Sequence, residues 1–437
     1  MSEKKKDKQS LPIGGVFFLL IVIPLSLMAF LIANGMFKLG VTIKERTVHV
    51  LDEKSQEEIK SRAINTADDV ANFLMEANKD VLIATILPST EAAYKQFVIE
   101  NKKPLWTKEG NKIRQVLSPL YKEMILTDRN GNEMIRVLNG QAVETSKLRN
   151  ISNPANTLYQ TEDYFAKTRL LNKGQVYVSP VTGHYVTREA FEKGERFSGI
   201  VRFSTPVFTK EGFAGIISLA MDYRHLARFT NHTVPTQVEQ LFEVNAATGN
   251  YAYMVNADGF VIAHPNDYHI VGFGKDGKAV PALTAENSQI LTSKGMEVLN
   301  LKQLGFMDPK LPKIADQATT GKAGIITYQF GGVTKFAAYA PIKFYAANLK
   351  EPAGFGWVGM GVEVEKYNEA ATQVSQGIEK EAKAWTATVI FILIASMLIL
   401  FAIMWLLVRG ITRSLLADVP EGSEGALFDD DEDEDDK

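Results

Sequence analysis

Three runs decide the fold: Gly174-Gln175-Val176-Tyr177-Val178-Ser179-Pro180, Gly199-Ile200-Val201-Arg202-Phe203-Ser204-Thr205-Pro206-Val207, and Gly215-Ile216-Ile217-Ser218-Leu219-Ala220-Met221-Asp222. Each reads as a β-strand, rich in β-branched and apolar residues and bounded by turn formers. Side chains alternate faces along a strand. Tyr177 and Ser179 therefore share a face, as do Arg202 and Ser204, and as do Ser218, Ala220 and Asp222. The opposite faces carry Val176 and Val178, then Val201, Phe203 and Thr205, then Ile217, Leu219 and Met221. One face can pack on a helix. The other offers a tyrosine, hydroxyls, an arginine and a carboxylate on a concave wall. Antiparallel sheets also turn polar faces to water. Small Ser218 and Ala220 leave room above the sheet, and Arg202 and Asp222 sit on neighbouring strands, which favours a pocket.

Working outward, Tyr121 to Val137 reads strand, turn, strand, with Asn130-Gly131 as the hairpin signal. Tyr164-Phe165 opens a short helix, and Lys210-Glu211-Gly212 turns between the last two strands. Past Arg228 the pattern restarts. Tyr251 to Asn256 and Phe260 to Pro265 flank Asp258-Gly259. Ile325 to Tyr328 and Lys335 to Ile342 flank Gly331-Gly332, and Gly356 to Glu363 is the last strand. Asn130-Gly131 matches Asp258-Gly259, Thr205-Pro206-Val207 matches Ala340-Pro341-Ile342, and the strand ending in Asp222 matches the one ending in Glu363. The offsets drift steadily, at about 128, 135 and 141 residues, as in an internal duplication.

Two apolar runs lie outside this region, Leu11 to Ala33 and Thr386 to Val408. Each reaches the ~20 residues that cross a bilayer. Lys4, Lys5, Lys6 and Lys8 precede the first, and Arg409 and Arg413 follow the second. Such basic flanks prefer the cytoplasm. The expected layout is a cytoplasmic N-terminus (1–10), a membrane helix (11–34), an extracytoplasmic region (35–385), a second membrane helix (386–408) and a short cytoplasmic acidic tail (409–437). Beyond the first span, Ile59, Ala63, Ala67, Val70, Leu74, Ala77 and Val81 step by three or four, one stripe of a long helix. The stripe fits packing on a sheet; a homodimer contact is the other reading. Tyr367 to Trp385 returns as a polar helix into the second span.

In this order the pieces resemble a double Cache sensor, the PAS-like extracytoplasmic domain of bacterial chemoreceptors, sensor kinases and cyclic-di-GMP enzymes. The resemblance rests on the long helix, the tandem modules, Gly174 to Pro180, Val201 to Val207 and Val255 to Pro265. It implies an α+β fold: a long N-terminal helix and two antiparallel-sheet modules, a membrane-distal one at about 82–228 and a proximal one at about 229–366, between two membrane helices. It implies a ligand site on the distal sheet, formed by Tyr164, Tyr177, Ser179, Arg202, Ser204 and Asp222. Amino-acid-sensing relatives anchor the ligand amine on the carboxylate that falls here on Asp222. They also carry an arginine and a tryptophan just upstream, whereas this chain has no tryptophan between Trp106 and Trp357. Arg409 to Leu415 resembles the start of a HAMP relay, with Ser414 where a proline usually stands.

The implied function is a two-pass inner-membrane sensor. A small periplasmic solute (an organic acid, an amine or an amino-acid-like molecule) binds it, and a separate signalling partner of chemotaxis or two-component type takes the output. The alternative is a membrane-anchored solute-binding or scaffold protein without output.

Composition narrows the chemistry. The chain has no cysteine, which excludes disulfides, cysteine nucleophiles and thiolate metal sites. Its formal charge is -3, but Asp418 to Lys437 holds eleven acids and one lysine, so the remainder stands at +7. The unbroken run Asp429 to Asp436 reads as a solvated tail. Basic clusters interleaved with aromatics are absent from the middle of the chain, so nucleic acid is not an expected partner. His264, Asp267 and His269 cluster in a hairpin end without metal-ligand spacing, and no metal is expected there. Neither a catalytic motif nor a phosphate-binding glycine loop is present, so no catalytic residue and no cofactor is expected.

Overall fold

The computed structural model describes residues 13–417 except Asn111. The basic N-terminal residues and the acidic run Asp429 to Asp436 lie outside the described residues. Glu53–Asn368 form one compact unit; the helical segments up to Asp52 and from Glu369 form another.

Helix α1 (Ile13–Ala84) opens the chain. Next comes α2 (Glu91–Glu100), whose Thr90 hydroxyl caps Ala93 N–H and whose Glu91 lies in the first turn. A hairpin of β1 (Lys102–Glu109) and β2 (Lys112–Pro119) follows. The first module comprises β3 (Tyr121–Thr127), β4 (Glu133–Leu138), β5 (Gln141–Ala142), α3 (Tyr164–Thr168), β6 (Tyr177–Val178), β7 (Thr182–Gly183), α4 (Arg188–Glu192), β8 (Gly199–Thr209) and β9 (Gly212–Asp222). Helix α5 (Tyr223–Asn231) leads out of it. The second module comprises β10 (Tyr251–Val255), β11 (Val261–Ala263), α6 (Ser288–Ser293), α7 (Lys310–Ala318), β12 (Gly324–Phe330), β13 (Val333–Ile342) and β14 (Gly356–Glu363). Helix α8 (Val364–Ala417) begins where β14 ends.

The first sheet runs β5-β4-β3-β9-β8-β6, with β7 also on β8; the second runs β11-β10-β14-β13-β12. In both, a module's opening strand lies between its hairpin partner and its closing strand. The modules share finer details. Asp128 Oδ1 accepts from the N–H groups of Asn130 and Asn132, and Asn256 Oδ1 from those of Asp258 and Phe260. Both closing strands carry a glycine at positive φ, Gly215 (154°) within β9 and Gly356 (140°) at the start of β14. A Cβ on Gly215 would collide with the Thr127 carbonyl oxygen, and one on Gly356 with that of Val255. The duplication expected from sequence is thus visible as repeated topology, repeated turns and repeated close backbone approach.

The helical stripe is core. Ile59, Ala63, Ala67, Val70, Leu74, Ala77 and Val81 are buried in one cluster with Met124, Val201, Phe203, Leu219 and Met221 of the first sheet. Met254, Ala338, Ala340, Val358, Met360 and Val362 of the second sheet join the same cluster. One helix face therefore covers the apolar faces of both sheets, each fully buried large side chain contributing about 1.5–3 kcal/mol. Outside this unit, Leu19–Ile43 (25 residues) and Gln376–Leu407 (32 residues) are long and apolar enough to cross a membrane and are not buried.

Two expectations need correction. The run Gly174 to Pro180 pairs as a strand only over Tyr177 and Val178. Beyond them Ser179 N–H still donates to the Arg202 carbonyl at 2.8 Å, but Arg202 N–H goes to the Ser179 hydroxyl, and the Thr182 hydroxyl closes a turn on the Pro180 carbonyl. The segment from Lys102 to Pro119, to which no strand is assigned from sequence, is the hairpin β1–β2. In the sequence, the pair Gly110-Asn111 between the two strands is a legible hairpin signal.

Candidate functional site

The alternation of β8 and β9 works as the sequence predicts. Arg202 lies opposite Ala220, Ser204 opposite Ser218, and Ile200 opposite Asp222, while Val201, Phe203 and Thr205 face the core with Met221, Leu219 and Ile217. The neighbouring strand β3 places Glu123 opposite Ala220 on the polar face. This face is closed: Arg202, Ser204, Ser218 and Glu123 are all wholly buried.

A buried guanidinium must be matched by negative charge and hydrogen bonds. Arg202 Nε donates to Glu162 Oε1 at 2.6 Å, its Nη2 lies 2.8 Å from Glu123 Oε2, and its Nη1 donates to Ser218 Oγ at 3.3 Å. The Tyr164 ring from α3 lies under the guanidinium, 4.1 Å from its carbon. Ser204 Oγ donates to Ser218 Oγ at 2.8 Å. Ser179 braces the same strand, its Oγ accepting from the Arg202 backbone N–H at 2.9 Å. Glu123 also accepts from Arg136 Nε at 2.9 Å, and Arg136 Nη1 lies 3.6 Å from Glu133 Oε1. Three carboxylates thus face two guanidiniums. Burial pushes the Glu133 carboxyl up despite the Arg149 N–H bond and the charge of Arg136. Burial likewise drives the Tyr164 phenol far up. The Tyr164, Thr161 and Thr168 hydroxyl oxygens are buried and have no hydrogen-bond partner among the described residues.

The structure brings Tyr164, Arg202 and Ser204 together, with Ser179 behind them. Tyr177 lies opposite Ser204 on β6 and packs with Tyr164, Phe165, Ile151 and Ile216. Asp222 stands apart, and no ion pair joins it to Arg202 among the described residues. It caps α5, accepting from Arg224 N at 3.0 Å, Arg224 Nε at 3.0 Å and Arg224 Nη2 at 2.7 Å, with Lys122 Nζ at 3.4 Å. Burial works to raise its carboxyl. The Arg224 hydrogen bonds and the Lys122 charge more than offset that and hold it below the usual range. The partners that complete the Arg202 cluster, Glu123 and Glu162, were not singled out from sequence. Glu123 had a signal, an acid amid an apolar strand. Glu162 sits in an irregular stretch and had none.

The second module's His264, Asp267 and His269 do not converge. The two rings pack edge to face at 4.8 Å, while Asp267 Oδ2 accepts from Phe197 N–H at 2.6 Å. Among the described residues no group of three or more His, Cys, Asp or Glu is placed to hold a metal ion.

No protein-family model matches the chain, and no curated protein does. Solved structures do match. The chain is similar to sensory domains. One is the extracellular domain of a protein described as a histidine kinase: TM-score 0.42, 17% identity, covering 75% of this chain and 96% of that one. Another is a domain of a sensory box/GGDEF family protein from Vibrio parahaemolyticus, with TM-score 0.42, 15% identity and coverage of 74% and 100%. A third is the ligand-binding domain of the Pseudomonas fluorescens chemoreceptor CtaA in complex with L-isoleucine, with TM-score 0.41, 12% identity and coverage of 75% and 98%.

Proposed function

We propose that this protein is a two-pass inner-membrane sensor. Its double module lies outside the cytoplasm, binds a small solute on the first module's polar face, and passes the signal to a separate output protein. The observation that carries this reading is the buried face around Arg202. Side chains from β3, β4, β8 and β9, a short helix and an irregular stretch converge there, with a Tyr164 hydroxyl that has no partner among the described residues and one carboxylate more than the guanidiniums match. Buried polar groups left without partners cost free energy. A polar ligand with an ammonium or hydroxyl groups would satisfy them. The site is read as one for binding and not for catalysis. Relay has a direct covalent route, since β14 continues into α8 without a loop. A ligand shifts such a system only through unequal contact with its two arrangements.

One observation favours the second reading, a membrane-anchored solute-binding or scaffold protein. Arg202 is already matched by Glu123 and Glu162. The deciding experiment is a thermal-shift screen of the full chain in detergent against amines, amino acids, organic acids and purines. The expected hit loses its shift in Ser204→Ala and Tyr164→Phe. Shifts that survive both variants move the site elsewhere. Absence of any output protein co-purifying with the full chain would favour the scaffold reading, and a reporter fusion at the β1–β2 turn tests the orientation.

A further inference from the structure

An opening lies along α5, lined by none of the residues of the Arg202 cluster. A cavity of about 560 Å³ is bounded by β1, α5, the segment from Phe242 to Ala246 and the turn from Pro265 to Asp267. That is within the size range of small-molecule pockets, roughly 300–1,000 Å³.

Three of the rings that line it stand together. Trp106 lies 6.0 Å from His232 and 6.5 Å from Phe242, and His232 stacks on Phe242 at 6.3 Å. Burial pushes His232 down, so the ring is neutral near pH 7, and its Nδ1 faces the Leu241 and Phe242 carbonyls at 3.0 and 2.8 Å. Three arginines line the same cavity. Arg224 is held by Asp222. Arg196 lies 3.7 Å from exposed Glu243 and donates to the Phe191 and Glu195 carbonyls. Arg228 differs. No carboxylate lies within ion-pair distance of it among the described residues. Its Nη1 donates to the Pro104 carbonyl at 3.3 Å, two residues from Trp106, and its Nε is buried with no acceptor. Burial pushes its guanidinium down from the usual value, as expected for a cation with too little negative charge near it. The acids in the lining are engaged elsewhere, Glu243 beside Arg196 and Asp267 on the Phe197 N–H.

A guanidinium with no carboxylate partner among the described residues, an aromatic wall and a ligand-sized opening together recognise a flat anion. We propose that this cleft binds a small aromatic carboxylate, with its carboxylate on Arg228 and its ring against Trp106 and Phe242. The site is separate from the polar face of the first module and does not depend on it.

The probe is benzoate, titrated by calorimetry at low salt into the full chain in detergent, with uncharged benzamide as the control. Benzoate is expected to bind, and benzamide to bind at least roughly tenfold more weakly, because the charge-assisted contact is lost. Arg228→Gln is expected to weaken benzoate to a similar extent, Trp106→Ala to weaken both compounds, and Tyr164→Phe to change neither. Any of four results overturns the proposal: no benzoate heat up to millimolar concentration, equal binding of the two compounds, full affinity in a folded Arg228→Gln, or loss of binding in Tyr164→Phe. If Arg228→Gln does not fold, Trp106→Ala on the hairpin carries the test, and unchanged affinity there overturns the proposal.

Discussion

Asn348 and Val178, 170 positions apart in the chain, hold each other through two hydrogen bonds: Val178 N donates to Asn348 Oδ1 at 3.0 Å, and Asn348 Nδ2 donates to the Val178 carbonyl at 2.9 Å. The amide of Asn348 acts as one residue of an added strand. Ala347 N continues the pairing to the Val176 carbonyl at 3.1 Å. The loop between β13 and β14 thus covers the free edge of β6, which would otherwise expose unpaired backbone. Phe344 of the same loop packs on Phe203, ring centroids 6.3 Å apart. This places Tyr177, on the polar face of the first module, one residue from a contact with the strand pair that leads into α8.

Asn348→Ala is therefore expected to leave a backbone N–H and carbonyl of Val178 unpaired, at a cost of about 1–3 kcal/mol. Denaturant melts give the loss. Amide exchange should show Val178 losing protection before the strands of the second module do. Unchanged protection at Val178 would mean the edge is held by other contacts.

Arg202→Met removes the one cation between two buried acids, Glu123 and Glu162. Breaking such a pair from one side costs about 3–5 kcal/mol, since the remaining charges stay buried. Tyr164→Phe removes a hydroxyl that has no partner among the described residues, and it should change stability by less than about 1 kcal/mol. Equal losses in the two variants would contradict the ion-pair account.

Gly215→Ala and Gly356→Ala should each destabilise more than Gly212→Ala. All three glycines have positive φ, but a Cβ on Gly212 meets nothing within 4 Å, whereas Cβ atoms on the other two strike backbone carbonyls. The shared cost of a positive φ for a residue with a Cβ is about 1–3 kcal/mol, and the collision adds to it. Thermal melts of the three variants rank them directly, and a Gly212→Ala as damaging as the others would show that the collisions relax freely.

Asp267 gives a pH signature. Burial pushes its carboxyl up to about 6, against the Phe197 N–H bond and the Arg196 charge. In the unfolded chain an aspartate titrates near about 3.9. Between those values the folded state holds the proton more tightly, so this group adds stability as pH falls from 7 towards 4 and withdraws it as pH rises. Asp267→Asn keeps an acceptor for Phe197 N–H and removes the titration. It should flatten that part of the stability curve and add on the order of 2–3 kcal/mol at pH 7. A variant with the parent's slope would assign the pH dependence to another group.

The sequence by itself determined whatever depends on local period. Alternation put Arg202, Ser204 and Ser218 on one face of β8–β9, three-and-four spacing put Leu74 and its neighbours in the core, and the matched turns and strand ends exposed the duplication. Those signals survive because each strand or helix face has one apolar side to bury, wherever its partners come from. Only the tertiary structure decided which groups meet. Asp222 turned to Arg224 and Lys122 and away from Arg202, and Glu123 and Glu162 closed around Arg202 from distant segments. The cleft at Arg228 exists only because β1, α5 and the turn at Asp267 come together. A side chain's face is set by its own backbone, but its partner is set by chain segments whose approach no local period records.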